Sequence, residues 1–104
     1  MYAIVRENTF DPITLRDAGP ALDEFQEIHD SQPGYRGTLV VDAGDGRSLT
    51  VNLWESEQRA TAALPIMVPV VQRLVEPLMA APSRLIAGGP VTMTDLTRAP
   101  SAPG

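Results

Sequence analysis

Near the start of the chain, the apolar positions first follow the two-residue period of a strand and then the spacing of a helix. Residues 2–7 are rich in β-branched and aromatic side chains, which predicts a strand, and the Asn, Asp, Pro and Gly of residues 8–19 predict a loop. Pro20 suits the first turn of a helix. Behind it, apolar side chains recur at helical spacing at Leu22, Phe25 and Ile28. We therefore predict a helix over residues 20–31, which Pro33-Gly34 ends.

A hairpin pattern follows this helix. Residues 35–42 and 47–54 are typical of strands, and the Asp45-Gly46 pair between them suits a tight turn with positive φ angles. Alternation gives the second of these strands two different faces. One face carries Leu49, Val51 and Leu53, and the other carries Ser48, Thr50, Asn52 and Trp54.

The third part of the chain predicts helical structure interrupted by proline. Ser56 is the expected N-cap of a helix. Because proline removes a helical hydrogen bond, we expect Pro65 and Pro69 to divide this region into a short helix and a second one over residues 70–80, kinked at Pro77.

The last strand is predicted over residues 84–96, with a bulge or bend at Gly88-Gly89-Pro90. Its proline favours an edge position in the sheet. Residues 97–104 are small and proline-rich, and we predict a disordered tail there.

The order strand, helix, strand, strand, helix, strand predicts an α+β fold in a single domain, residues 1–96. With right-handed crossovers it becomes a ferredoxin-like β-α-β-β-α-β fold: a four-stranded antiparallel sheet with both helices on one face. Both faces of that sheet are partly apolar, so the bare face needs a second sheet against it. We therefore expect a homodimer.

Charge and composition exclude several classes of function. Eight basic residues against thirteen acidic ones give a net charge of −5, and no basic cluster is present to neutralise nucleic acid. Cysteine is absent, which excludes disulfides and thiolate metal sites. No apolar run is long enough to cross a bilayer and no signal peptide is recognisable, so we expect a cytoplasmic protein with no membrane partner and no metal site.

Two motifs resemble a known family. Pro33-Gly34-Tyr35 after the first helix and Trp54-Glu55-Ser56 at the end of the third strand resemble the antibiotic-biosynthesis-monooxygenase-like domains of the dimeric α/β-barrel superfamily. The resemblance implies two sheets packed into a barrel, a cleft between sheet and helices in each protomer, and either cofactor-free oxidation of polycyclic aromatic substrates or haem degradation. Because no Trp or His follows Trp54, haem degradation is not expected, and no cofactor is predicted.

Three side chains are candidates for chemistry. His29 is the only histidine, and its unperturbed pKa lies near neutrality, but a partly exposed residue at the end of a helix is the simpler interpretation. Asn52 could stabilise an enolate or phenolate oxygen, and Trp54 could contact a ligand or simply anchor the core. We expect Asn52 and Trp54 to point into the cleft on the helix side of the sheet, with His29 near its mouth.

Two functions from different classes remain open. The first is a small-molecule-binding protein that acts as a cofactor-free monooxygenase on an aromatic, polyketide-like substrate. The second is a non-catalytic dimeric module that binds an apolar or aromatic ligand or has a structural role. The sequence determines neither the substrate nor whether a reaction occurs.

Overall fold

The computed structural model describes residues 1–95 of the chain. Within them, four strands, three α-helices and one 3₁₀ turn follow one another. In chain order they are β1 (Tyr2–Phe10), α1 (Pro12–Leu15), α2 (Gly19–Asp30), β2 (Tyr35–Gly44), β3 (Arg47–Trp54), α3 (Glu57–Leu74), the 3₁₀ turn (Glu76–Leu78) and β4 (Met79–Pro90). Apart from the short α1, this is the predicted β-α-β-β-α-β order.

The strands form one antiparallel sheet in the order β2-β3-β1-β4. Helices α2 and α3 cover one face of it, because Phe25 of α2 and Ala63 and Met67 of α3 pack in the same cluster as Trp54 of β3. The α+β, ferredoxin-like fold predicted from the sequence is therefore confirmed. We call the covered side the helix face and the opposite side the outer face.

The first loop is shorter than predicted. Strand β1 continues to Phe10, and Asp11 then caps α1, its side chain accepting a hydrogen bond of 2.8 Å from the Ile13 amide. An Asp-Pro pair is a common way to begin a helix, since the carboxylate takes an N–H and proline needs no partner there. The loop prediction over residues 8–19 was therefore wrong for the end of β1 and for α1.

Helix α3 is continuous through Pro65 and Pro69, so the predicted break is wrong. The two prolines are four residues apart and therefore lie on one side of the helix, where both are exposed. Water can reach the carbonyl groups that lose their hydrogen bonds on that side, while Met67 on the other side stays buried in the core. The N-cap prediction is confirmed: Ser56 Oγ accepts a hydrogen bond of 3.2 Å from the Arg59 amide.

The last strand begins earlier than predicted, at Met79, because Pro77 lies in the 3₁₀ turn and not inside a helix. Strand β4 is at the edge of the sheet, as Pro90 indicated. Its pairing with β1 has three register shifts, one of them between Ala87 and Leu85, whereas Gly88-Gly89-Pro90 pairs regularly and ends the strand, so the bulge predicted there is wrong. The predicted tail, residues 97–104, lies outside the described residues.

The β2–β3 hairpin follows the prediction closely. Asp45 and Gly46 have φ angles of 56° and 78°, and the Phe10 amide donates a 2.8 Å hydrogen bond to the Gly46 carbonyl. A Cβ on Gly46 would come within 2.8 Å of the Phe10 carbonyl oxygen. Only glycine fits this turn beside β1, since a side chain would be both strained and blocked.

Candidate functional site

Asn52 and Trp54 lie on the helix face of β3. Trp54 is 4% exposed and packs against Ala60, Ala63 and Met67 of α3. Because side chains alternate along a strand, Asn52 points to the same side as Trp54. The positions of these two side chains relative to the helices are those expected from the sequence.

An aromatic cluster surrounds Trp54 at the C-terminal end of α2. His29 lies with its ring centroid 4.2 Å from that of Tyr35, 5.4 Å from Phe25 and 5.5 Å from Trp54. Tyr35 meets Trp54 edge-on at 5.5 Å. We call these four residues the aromatic cluster. It joins α2, β2 and β3 at one end of the helix face.

His29 is 5% exposed, so the interpretation of it as a partly exposed residue at the end of a helix is wrong, while its place near the mouth of a cleft stays a prediction. The reason for its burial is the turn after α2, which brings Tyr35 back over the imidazole ring. Burial lowers the pKa of His29 from its ordinary value of 6.5, and the carboxylate of Asp30 opposes that shift. The imidazole is therefore neutral at pH 7. Within residues 1–95 neither of its nitrogens forms a hydrogen bond.

The Pro33-Gly34 turn places Tyr35 over the cluster. Gly34 has a φ of 81°, and its carbonyl accepts a 2.7 Å hydrogen bond from the Glu55 amide at the end of β3. A Cβ there would lie 2.5 Å from the side chain of Arg59. Glycine is thus required by both the φ angle and the close approach of α3.

A chain of hydrogen bonds runs from α2 to Asn52. Gln26 Nε2 donates to the Tyr35 hydroxyl at 3.3 Å, and the Thr38 hydroxyl donates to Asn52 Oδ1 at 2.8 Å. The Tyr35 hydroxyl is bonded to Thr38 Oγ1 and must be the donor, because the only proton of Thr38 goes to Asn52. The chain therefore fixes the amide of Asn52 with its oxygen towards Thr38. Its Nδ2 group has no hydrogen-bond partner among residues 1–95.

Polar side chains continue across the helix face beyond the aromatic cluster. Arg6 lies opposite Thr50, and Asn52 lies opposite Thr38, in the strand register. We call Arg6, Asn8, Thr38, Thr50 and Asn52 the polar band. All five are half-buried, and Asn8 Nδ2 donates to Thr50 Oγ1 at 3.1 Å. A sheet surface under helices is usually apolar, and a few polar groups among apolar walls are typical of ligand sites.

Sequence reasoning missed three members of this arrangement. Tyr35, Arg6 and Thr38 were not among the candidate residues named from the sequence. The alternation of side chains along β1 could have identified Arg6, because Arg6 lies on the same strand face as Ile4, which packs on the core. The contact of Tyr35 with Thr38 had no such signal, since it depends on the geometry of the turn.

Two cavities have neither Asn52 nor Trp54 in their lining. One of about 250 Å³ is bounded by the turn after α2 and by α3, and its lining residues are Gln32, Pro33, Arg59, Ala62, Ala63 and Ile66. The other, of about 350 Å³, is lined by Leu39 and Leu53 of the outer face and also by Thr38 of the polar band, together with Met1, Arg36, Gly37 and Thr94. Neither cavity contains a residue of the aromatic cluster.

Comparison with known proteins shows the fold. No protein-family model and no curated protein matches the sequence. Among solved structures, a putative antibiotic biosynthesis monooxygenase from Nitrosomonas europaea has a TM-score of 0.71 at 14% identity, covering 89% of this chain and 100% of that one. SnoaB, a cofactor-independent oxygenase from Streptomyces nogalater, has a TM-score of 0.70 at 15% identity, with 89% and 94% covered.

A monooxygenase of Streptomyces coelicolor, solved with the ligand nanaomycin D, gives a TM-score of 0.63 at 21% identity, with 89% of this chain and 92% of that one covered. The chain therefore has the fold of antibiotic biosynthesis monooxygenase structures, as the two motifs in its sequence indicated. At these identities, the similarity describes the fold alone.

Residues 1–95 lack two features, a membrane-spanning helix and a cluster of metal ligands. None of the helices there has the length and apolar character needed to span a membrane. In the same residues, no group of three or more His, Asp or Glu side chains is arranged to hold a metal ion.

Proposed function

We propose that this chain is a small-molecule-binding, dimeric α/β-barrel protein that acts as a cofactor-free monooxygenase on an aromatic, polyketide-like substrate. One observation carries the proposal: the amide of Asn52 is held by Thr38 on the covered face of the sheet, and its Nδ2 group has no partner among residues 1–95. A preorganised donor of this kind stabilises the oxygen on which negative charge develops. The fold shared with SnoaB supports the same reaction class.

The proposed reaction places few demands on the protein. An anthrone-type substrate loses a proton from its central CH₂ carbon and becomes an enolate. This carbanion reduces dioxygen and forms a hydroperoxide at the same carbon. Loss of water then leaves a new carbonyl group, so that one oxygen atom is in the quinone and the other in water. The protein holds the anion and excludes bulk water.

Asn52, Trp54 and His29 have different roles in this proposal. Asn52 Nδ2 donates to the enolate oxygen, and Trp54 forms part of the aromatic wall beside it. His29 is the candidate base, because its lowered pKa keeps the imidazole neutral, as proton removal requires. A substrate proton would have to reach it past Tyr35, whose ring is 4.2 Å away.

The dimer in this proposal forms through the outer face. Val51 and Leu53 alternate with the helix-face residues, and Leu39 and Val41 are 46% and 53% exposed in the single chain. Apolar strand residues left in water favour packing against a second sheet. A second copy of this face would cover them.

Oxygen uptake with an anthrone-type substrate tests the enzymatic function. We expect uptake with the wild-type protein, matched by quinone formation. Asn52→Ala should lower kcat by about 10²- to 10³-fold, the usual effect of removing an oxyanion donor. Gln72→Ala is the matched control, because it removes an exposed amide on α3. Uptake no faster than in buffer would exclude the reaction with this substrate class.

A non-catalytic binding module is the second candidate. The burial of His29 favours it, because the only histidine is enclosed by three rings and has limited access to a substrate. This function predicts binding without turnover. Quenching of Trp54, the only tryptophan, would report an aromatic ligand while oxygen consumption stays at the buffer level.

A further inference from the structure

Arg6 differs from the other arginines in residues 1–95. It is half-buried on the helix face, whereas the other six are exposed. Among those six, four form ion pairs: Arg36 with Glu55, Arg73 with Glu24, and both Arg47 and Arg84 with Glu7. Arg6 has no carboxylate within ion-pair distance in the described part of the chain. The one arginine of residues 1–95 that is not exposed thus has no counter-ion among those residues.

Most of the hydrogen-bonding capacity of Arg6 is unused. Its Nη1 donates to Ser83 Oγ at 3.4 Å, which is long for a hydrogen bond. No other group in residues 1–95 accepts a hydrogen bond from this guanidinium group. A guanidinium group has five N–H donors and stays charged at all physiological pH values. In residues 1–95 no fully buried side-chain nitrogen lacks a partner, so the unpaired N–H groups of Arg6 are open to solvent, where an anion could reach them and form charge-assisted hydrogen bonds.

Arg6 and Asn52 lie close together. Arg6 pairs with Thr50 and Ile4 pairs with Asn52, so Arg6 and Asn52 are diagonal neighbours on one face of the sheet. Such diagonal positions are about 7–8 Å apart. Both side chains have unused donors. The hydroxyl of Thr50 already accepts a hydrogen bond from Asn8. The polar band contains no acidic residue, so it offers these donors no charged acceptor.

We infer that Arg6 is a specificity-determining residue and that the ligand is an aromatic carboxylate, whose two oxygens bind the guanidinium group of Arg6 while the ring system lies towards Asn52 and Trp54. The inference rests on the proposed function, since it assumes a ligand on the polar band. A carboxylate matches the fork of an arginine, which donates two parallel hydrogen bonds. It would also supply the missing counter-ion.

A matched pair of ligands tests the inference: anthraquinone-2-carboxylate and the neutral anthraquinone-2-carboxamide. Titrations use the full chain, with Trp54 quenching and calorimetry as readouts. We expect the wild-type protein to bind the carboxylate at least ten-fold more tightly than the carboxamide. Arg6→Gln should remove this selectivity by weakening only the carboxylate. Arg6→Lys should keep part of it, because the charge remains and the fork is lost.

Arg73→Gln is the control, because it makes the same change of charge at an exposed position on α3. It should leave both affinities unchanged, and circular dichroism verifies that each variant is folded. Equal binding of the two compounds by the wild-type protein, or equal weakening of both by Arg6→Gln, would overturn the role of Arg6 and leave the proposed ligand site intact. If neither compound binds, the proposed site itself is wrong.

Discussion

The two faces of the central sheet differ in a way that is the reverse of a simple helix-covered sheet. The covered face carries the polar band, including Arg6 and Asn52, whereas the bare outer face carries aliphatic residues such as Val51 and Leu53. A chain that worked as an isolated monomer would gain more from the opposite arrangement, because apolar burial is the main source of stability. This difference is the one that the proposed ligand site and the proposed sheet-to-sheet dimer require.

The helix face is itself divided. Near Trp54 it is closely packed by the aromatic cluster, and beyond Ile4 it becomes polar. A hydrogen-bond chain through Tyr35 and Thr38 joins the two halves. The packed half thus orients part of the polar half. Tyr35 packs on His29 and bonds Thr38, and Thr38 in turn holds the amide of Asn52. This division makes four predictions.

The largest effect should come from the packed half. Trp54→Ala should lower the free energy of unfolding by about 3–5 kcal/mol, because it leaves a cavity among Ala60, Ala63 and Met67. Urea unfolding followed by circular dichroism measures it. Leu53→Ala, one residue away on the outer face, is the comparison. The loss of unfolding free energy in this variant should grow with protein concentration as the dimer forms. A loss below about 1 kcal/mol for Trp54→Ala would contradict the core assignment.

A charge on the outer face should have the next largest effect. Val51→Asp should raise the dimer dissociation constant at least 100-fold, since an unpaired carboxylate would be buried between two sheets. Sedimentation velocity measures the change. Val40→Asp is the control, because Val40 pairs with Thr50 on the other face and is 66% exposed. A wild-type protein that is monomeric at micromolar concentration would disprove the sheet-to-sheet dimer.

Removing the hydrogen bond that holds Asn52 should lower kcat less than replacing Asn52 itself. Thr38→Val keeps the shape of the side chain and deletes the hydroxyl that bonds Asn52 Oδ1. We expect kcat for oxygen uptake to fall about ten-fold with KM changed little, because the donor is misdirected in the transition state. Thr61→Val, on the exposed side of α3, should change neither constant. A rise in KM at constant kcat would show that Thr38 acts on binding alone.

The smallest effect concerns pH. Because burial lowers the pKa of folded His29 below 6.5, the unfolded chain binds this proton more readily than the folded one. The fold should therefore lose stability as the pH falls through 6.5, until the pKa of the folded state is reached. Thermal melts at about pH 7.5 and about pH 5.5 should show a larger decrease for the wild-type protein than for His29→Gln. Equal decreases would mean that His29 does not contribute.

Much of the fold followed from local patterns in the sequence. The hairpin, the Ser56 cap and the strand faces of Asn52 and Trp54 each depend on residues close together in the chain. The prediction failed for α3, where Pro65 was expected to end a helix. Proline removes a local hydrogen bond, but whether that breaks a helix depends on which side faces solvent, and this is decided by packing on the sheet.

The sequence by itself determined the order of the elements, the fold class and which residues share a face of β3, because alternation and helical spacing are properties of neighbouring residues. Only the tertiary structure decided that His29 is buried, that Tyr35 and Thr38 orient Asn52, and that Arg6 has no counter-ion within the described part of the chain. Each of these depends on contacts between distant segments. Their distances follow from the strand register and the turn after α2, which no local pattern specifies.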